Sequence, residues 1–93
     1  MKKLKLNNWF EIDEQQYVMY ILSGYDIAVS DEHIIWRLNG NPHREDGPAV
    51  IHSDGTQEWW LNGHLHREDG PAVIHSDGTQ EWCLNGKLRM VKN

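Results

Sequence analysis

The sequence has little of several features that decide a protein's class. It contains one cysteine, Cys83, and three prolines among 93 residues. A single cysteine excludes an intrachain disulfide, so the fold owes nothing to crosslinks and suits a reducing compartment. The longest apolar run, residues 17–22, has six residues, far fewer than the roughly 20 that a membrane-spanning helix needs.

Cationic side chains are also scarce. Nine Lys and Arg residues stand against fourteen Asp and Glu, which gives a formal charge of −5 and a pI near 5.6. Because binding to nucleic acid or to an anionic membrane needs a clustered excess of Lys and Arg, we expect neither as a direct partner. An acidic chain suits a protein partner with a basic surface.

The start of the chain carries no complete targeting signal. Residues 1–8 have the positive charge of a signal peptide, but no apolar core or small-residue cleavage site follows them. We therefore expect a soluble protein that acts in the cytoplasm.

What the sequence does contain is an internal repeat. Residues 43–59, HREDGPAVIHSDGTQEW, recur unchanged as residues 66–82. A degenerate copy precedes them by another 23 residues. Such identity at fixed spacing is the mark of a repeat architecture. We predict a single domain, residues 1–93, with these parts: a capping segment at 1–23, a degenerate repeat at 24–42, full repeats at 43–65 and 66–88, and a tail at 89–93.

Each unit has two turn signals, Asp54-Gly55 and Asn62-Gly63 in the second copy. Both dipeptides favour two-residue type I′ turns, because both central positions need positive φ. The segments between them, 48–53 and 56–61, are typical of short strands, and 71–76 and 79–84 repeat them. The sequence therefore predicts a mainly β fold, an antiparallel meander of about three 23-residue hairpin repeats.

A two-residue Asp54-Gly55 loop would place Ile51 opposite Glu58 and Val50 opposite Trp59. The side chains then sort onto two faces. The predicted core face holds Val50, Trp59, Leu61, Val73, Trp82, Leu84, Ile27, Trp36 and Leu38. The predicted solvent face holds Ala49, Ile51, Glu58, Trp60, Ala72, Ile74, Glu81, Cys83, Ala28, Ile35 and Arg37.

The apolar face of so short a meander needs a cover, which only the N-terminal segment supplies. We expect a helix that starts at Asp13 or Glu14 and ends at Gly24, or alternatively a strand, since six apolar residues do not fix the period. In the helical alternative Tyr17, Tyr20, Ile21 and Trp9 pack on the tryptophan row.

The 23-residue period, the Asn-Gly and Asp-Gly turns and the recurring Trp and Gly resemble the MORN (membrane occupation and recognition nexus) repeats, which are β-hairpin units of similar length. The likeness covers residues 24–88, although a MORN unit typically has His-Gly-x-Gly where His-Arg-Glu-Asp-Gly-Pro stands here. The HREDGPA and WxLNG signatures look like a divergent form found in phage and large-virus proteins. The resemblance implies protein contacts or membrane-surface association rather than catalysis, and host cytoplasm for a phage-encoded protein.

Two sets of residues are candidates for binding. Trp60 and Ile51 predict an apolar contact patch because exposed tryptophan is enriched at interfaces, unless a register slip or a second layer buries them. The rim of this patch would be Glu58, Glu81 and Arg37. The second set consists of the loop carboxylates Glu45, Asp46, Glu68 and Asp69, which either receive Lys or Arg from a partner or serve turn chemistry and intramolecular Arg pairing.

Six histidines raise the question of a metal site. Equivalent positions in adjacent copies lie two strands apart, roughly 9 to 10 Å, which is too far to share one ion easily. We predict no metal, no cofactor and no catalytic residues, because a repetitive sheet offers rows of side chains rather than a pocket.

The sequence thus predicts a protein-binding module, which in a phage would be an inhibitor of a host enzyme or defence protein. One alternative is a metal-dependent or nucleic-acid-processing activity that uses the rows of His, Asp and Glu. The other alternative is self-assembly through the open sheet edge, which Lys87, Arg89 and Lys92 would protect.

Overall fold

The computed structural model describes residues 2–93, and the chain is mainly β with one short helix. The elements in chain order are β1 (Lys3–Lys5), β2 (Glu11–Asp13), α1 (Glu14–Leu22), β3 (Tyr25–Val29), β4 (His33–Leu38), β5 (Asn41–Pro42), β6 (Val50–His52), β7 (Gln57–Glu58), β8 (Trp60–Leu61), β9 (His64–Leu65), β10 (Val73–Ile74), β11 (Gln80–Leu84) and β12 (Lys87–Lys92).

The strands form one eight-stranded sheet and two small hairpins. The main sheet runs in the order β12-β11-β10-β7-β6-β4-β3, with β5 paired to β4. The hairpins are β1-β2 and β8-β9, and all the pairings are antiparallel. Neighbours in the sheet follow one another along the chain, apart from the short hairpin strands, so the predicted antiparallel meander is confirmed.

Of the two alternatives expected for the apolar run at residues 17–22, the structure shows the helix. Helix α1 has nine residues, and its last turn is closed by bonds from Ser23 N to Met19 O and from Gly24 N to Ile21 O. Gly24 then reverses the chain with φ +93°, a conformation that a residue with a Cβ rarely adopts. Across residues 2–93, no helix is both long and apolar enough to cross a membrane.

The core is concentrated at the N-terminal end of the sheet. Ile12, Ile34 and Trp36 are its buried centre. Around them pack Leu4, Leu6, Trp9, Phe10, Tyr17, Tyr20, Tyr25, Ile27 and Ile51. The prediction that Ile21 packs on the tryptophan row is wrong, since Ile21 is 43% exposed. Helix α1 packs against β2 and β3, at the end of the sheet that holds Trp36, so Trp36 is buried while Trp59 and Trp82 are only half-buried.

The two kinds of turn behave differently. Asn62-Gly63 has positive φ at both residues, 52° and 80°, and the other two Asn-Gly pairs match it, as predicted for type I′ turns. At Asp54-Gly55 only the glycine has positive φ, at 95°. There His52 N bonds to Thr56 O, and the Asp54 carboxylate accepts the Thr56 N–H at 2.9 Å. The loop therefore has three residues, 53–55, rather than two.

This extra loop residue shifts the predicted register by one. Val50 lies opposite Glu58, and Ile51 lies opposite Gln57. The shift arises because the Asp54 side chain caps the turn and leaves the left-handed position to glycine alone, which is the usual geometry of a three-residue hairpin loop.

The predicted division into a core face and a solvent face is only partly correct. Val50 and Val73 are buried as expected, but Ala49, Ala72 and Cys83, assigned to solvent, are buried as well. Cys83 directly follows a register shift in β11, between Trp82 and Cys83, which interrupts the alternation of faces. The strand is also interrupted at residue 59, between β7 and β8, and β8 and β9 form a separate hairpin.

Candidate binding site

The candidate site is built from two loops of identical sequence, residues 43–48 and 66–71. The first loop is anchored by bonds from His43 N to Trp36 O and from Arg44 N to Trp60 O. The second has the corresponding bonds, from His66 N to Trp59 O and from Arg67 N to Cys83 O. Each loop is thus tied to the tryptophan before it and to the strand after it.

The arginine of each loop folds back over its own backbone. Arg44 donates from Nη1 to Pro48 O at 3.1 Å and from Nε to Asp46 at 3.1 Å. Arg67 repeats both bonds, to Pro71 O at 3.1 Å and to Asp69 at 3.2 Å. Through these bonds each guanidinium donates hydrogen bonds to a carbonyl and to an aspartate of its own loop.

Glycine inside these loops leaves room for the guanidinium, which occupies the space of a side chain. A Cβ added to Gly47 would lie 2.9 Å from Arg44 Cζ. A Cβ added to Gly70 would lie 2.9 Å from Arg67 Cζ. The Gly-Pro step of the motif therefore serves the folded arginine as well as the turn.

Each guanidinium also lies over an indole ring. Arg44 Cζ is 4.2 Å from the centre of the Trp36 ring, and Arg67 Cζ is 4.0 Å from the centre of the Trp59 ring. Such cation–π contacts contribute about 0.5 to 2 kcal/mol, depending on desolvation. The position 23 residues after Arg67 is Met90, so the series of stacked arginines ends with the second loop.

The loop histidines are structural hydrogen-bond partners. Nδ1 of His43 accepts the Asn62 N–H at 2.8 Å, and Nδ1 of His66 accepts the Asn85 N–H at 2.9 Å. Because a nitrogen that accepts an N–H carries no proton, the proton lies on Nε2, which faces Glu45 and Glu68 at 3.5 and 3.3 Å. These bonds hold the Asn-Gly turns against the loops.

Between the two loops lies a cleft of about 530 Å³. Trp59 and Leu61 line it, together with residues of both loops. Four of the predicted site residues meet here, and their side chains are mostly exposed: Glu45 81%, Asp46 62%, Glu68 84% and Asp69 89%. The structure thus places the predicted loop carboxylates around one concave surface.

The first loop holds a side chain that the sequence did not assign to the site. The Tyr20 hydroxyl donates to Asp46 Oδ1 at 2.6 Å and accepts the Arg44 Nε–H at 3.0 Å. Partial burial by itself would raise the pKa of the Asp46 carboxyl, but the bonds from Tyr20 and Arg44 and the Arg44 charge outweigh it and hold that pKa below its usual value. Burial raises the pKa of Tyr20, and its bond to Asp46 raises it further.

The other five predicted residues have their own local partners within the fold. Trp60 is half-buried and donates from Nε1 to Glu58 at 2.8 Å. Glu58 in turn pairs with His52, and Glu81 pairs with His75. Arg37 forms an ion pair with Asp26, and Ile51 packs on the core. These five residues are half-buried and engaged by local partners, so the patch around Trp60 is less open than expected.

The histidines and the cysteine show no arrangement for metal or nucleophilic chemistry in the part of the chain that the structure describes. No group of three or more His, Cys, Asp or Glu side chains in residues 2–93 is placed to hold a metal ion. Cys83 is buried, and desolvation, followed by the Glu81 charge, raises the pKa of its thiol. A raised pKa leaves little of the reactive thiolate at neutral pH.

Comparisons with known proteins add no family to this description. No family model matches the chain. No curated protein and no solved structure matches it either.

Proposed function

We propose that this chain is a protein-binding module that holds a basic segment of its partner in the cleft between the two loops. The observation that carries the proposal is the charge around this cleft. Four carboxylates stand against two guanidinium groups, those of Arg44 and Arg67. Both guanidiniums are already engaged by an aspartate, a carbonyl and an indole ring of the protein itself.

Glu45 and Glu68 carry the excess negative charge. Their side chains are 81% and 84% exposed, and the imidazoles that face them lie at the long distances of 3.5 and 3.3 Å. Exposed carboxylates of one sign around a concave surface attract cationic side chains and speed their association. A Lys or Arg side chain of a partner has acceptors on both walls of the cleft.

The tryptophan that lines the cleft supports binding rather than catalysis. Trp59 lines the cleft and is only half-buried, and tryptophan is enriched among the residues that dominate binding energy. We propose no catalytic residue and no cofactor. The resemblance to MORN repeats in phage and large-virus proteins extends the proposal, since an acidic binding module of this size would suit an inhibitor of a host enzyme or defence protein acting in the host cytoplasm.

Self-assembly is a second candidate, and one observation favours it. Strand β12 is the edge of the eight-stranded sheet, and all six of its residues are exposed. An edge strand presents backbone groups to which a second chain can pair. Lys87, Arg89 and Lys92 lie on this edge without an acidic residue between them. Pairing of two copies would bring like charges together, and their repulsion opposes self-assembly.

Affinity purification from host-cell lysate with mass spectrometry tests the proposed function. The wild type is compared with the Glu45→Lys/Glu68→Lys variant, which reverses the free carboxylates of the cleft. An Asp31→Lys/Glu32→Lys variant is the matched control, because it makes the same charge change in the exposed turn between β3 and β4. A protein captured by the wild type and the control but lost by the cleft variant is the expected result. Equal capture by all three folded proteins would overturn the assignment to the cleft.

A further inference from the structure

The first loop is occupied by a side chain of the protein itself. The hydroxyl of Tyr20 bonds to Asp46 and Arg44. Its ring lies 5.1 Å from the ring of Tyr25 and 6.2 Å from the ring of Trp36, both with edge-to-face geometry. Arg44 Cζ is 5.6 Å from the ring centre. The loop and the preceding tryptophan together form a seat for a tyrosine.

The second loop has the same parts in the same order. A shift of 23 residues carries Arg44, Asp46, Trp36 and Leu38 onto Arg67, Asp69, Trp59 and Leu61. All four of the latter line the cleft. Pro48, which also lines the cleft, takes the place of Tyr25. The cleft therefore occupies, beside the second loop, the position that Tyr20 occupies beside the first.

The second seat is formed but open. Arg67 already makes the bonds to Asp69 and Pro71 and the contact with Trp59 that Arg44 makes in the first loop. Its side chain is 25% exposed against 12% for Arg44, and Asp69 is 89% exposed against 62% for Asp46. The extra exposure falls on the groups that Tyr20 covers in the first loop, because α1 is too short to reach the second.

We infer that the cleft is a seat for a tyrosine side chain of the partner, flanked by a Lys or Arg that pairs with Glu45 or Glu68. This inference rests on the proposed function and names the chemistry of its ligand. The phenol hydroxyl donates to Asp69 and accepts the Arg67 Nε–H, as Tyr20 does at the first loop. The ring packs beside Trp59 and the guanidinium.

The chemistry of the seat discriminates against close relatives of tyrosine. Phenylalanine fills the space but leaves Asp69 without its hydroxyl donor. Phosphotyrosine brings a charge of about −1.5 to −2 among four carboxylates, which repel it. The seat is therefore specific for tyrosine in its unphosphorylated form, and phosphorylation of the partner would release it.

The test is a titration of the full-length protein with short peptides, followed by NMR at the Trp59 indole N–H and the Arg67 Nε–H. The probes are acetyl-Lys-Lys-Tyr-Lys-Lys-amide and three peptides with Phe, Ala or phosphotyrosine in the central position. We expect the tyrosine peptide to bind about tenfold more tightly than the phenylalanine and alanine peptides, as the loss of a hydrogen bond to a charged group implies. The phosphotyrosine peptide should bind more weakly than all of them.

Two variants test whether the preference for tyrosine depends on Asp69. Asp69→Ala should weaken the tyrosine peptide about tenfold more than the phenylalanine peptide, because both lose one attracting charge but only tyrosine loses a hydrogen bond. Glu32→Ala, at an exposed carboxylate in the β3–β4 turn, should change neither. If all the non-phosphorylated peptides shift the cleft signals equally, the tyrosine seat is overturned while the basic-segment proposal stands. If no peptide shifts them, both the seat and the preference for a basic segment are overturned.

Discussion

Arg67 stacks on Trp59, 4.0 Å from its ring centre, and Arg44 stacks on Trp36 at 4.2 Å. The two arginines differ in their surroundings, since their side chains are 25% and 12% exposed. The equivalent arginines of the two loops thus stabilise the fold in different environments. Arg67 is partly open to solvent, and Arg44 is covered by α1.

Replacing these arginines by lysine should lower the free energy of unfolding unequally. Lysine loses the planar stacking and the bond to the loop carbonyl, which we expect to cost about 1 kcal/mol at Arg67 and about 2 kcal/mol at the less exposed Arg44. Urea denaturation of Arg67→Lys, Arg44→Lys and the exposed control Arg89→Lys measures this. Equal losses at the two loops would contradict the role assigned to α1 and Tyr20.

Gly70→Ala should destabilise the protein only when Arg67 is present. The added Cβ would lie 2.9 Å from Arg67 Cζ, so the flexible guanidinium has to move and gives up its contacts, at a cost of about 1 kcal/mol. In an Arg67→Ala background the same glycine substitution should cost almost nothing. A double-mutant cycle by urea denaturation measures the coupling, and additive effects would show that the glycine serves only the turn.

Tyr20→Phe should lower the free energy of unfolding by about 1 to 2 kcal/mol, because it removes a hydroxyl that bridges a carboxylate and a guanidinium. Tyr17→Phe removes a hydroxyl from the same helix and is the control. Thermal or urea unfolding measures both. A Tyr20→Phe variant as stable as the control would mean that the first seat contributes nothing, and the argument for an equivalent second seat would fail with it.

The same contact gives the stability a dependence on acid pH. The pKa of Asp46 is held below its usual value of 3.8 in the folded protein. A carboxyl with a lowered folded pKa contributes stability that is present above its unfolded pKa and is lost as the pH falls through the folded pKa. Asp46→Ala should therefore lose less stability than the wild type as the pH falls from about 5 to below the usual carboxyl pKa of 3.8. Parallel curves for the two proteins would contradict the charge-assisted bond.

Cys83 should be protected from alkylation in the native state. Its side chain is buried and burial raises the pKa of the thiol, so iodoacetamide at about pH 8 should modify it slowly and modify the urea-unfolded chain quickly. Mass spectrometry of timed samples measures both rates. Fast modification of the native protein would show that β11 opens readily at this position.

The fold could be predicted from the sequence at positions where a single local pattern determines the backbone conformation. Asn62-Gly63 requires positive φ at both positions and forms the expected type I′ turn. At Asp54-Gly55 two signals compete, since the aspartate side chain caps the turn and lengthens the loop by one residue. That single residue changed the register and the partner of Glu58, which the dipeptide alone does not reveal.

The candidate site, like the fold, could be predicted from the sequence only in part. The loop carboxylates Glu45 and Glu68 were identifiable because the motif that carries them is copied. The part played by Tyr20 was not, because it depends on a contact across 26 residues between a helix and a loop. Cys83 was assigned to solvent on the assumption of regular alternation along its strand, but the register shifts between Trp82 and Cys83, an irregularity that no sequence pattern signals.

We propose that the cleft between the two loops binds a partner through its carboxylates. The Kd of a captured partner for the wild type and for Glu45→Lys/Glu68→Lys, measured at low and at high salt, tests this directly. We expect the variant to bind at least about tenfold more weakly at low salt, and the difference to narrow as salt screens the charges. An unchanged Kd for the folded variant at both salt concentrations would contradict it.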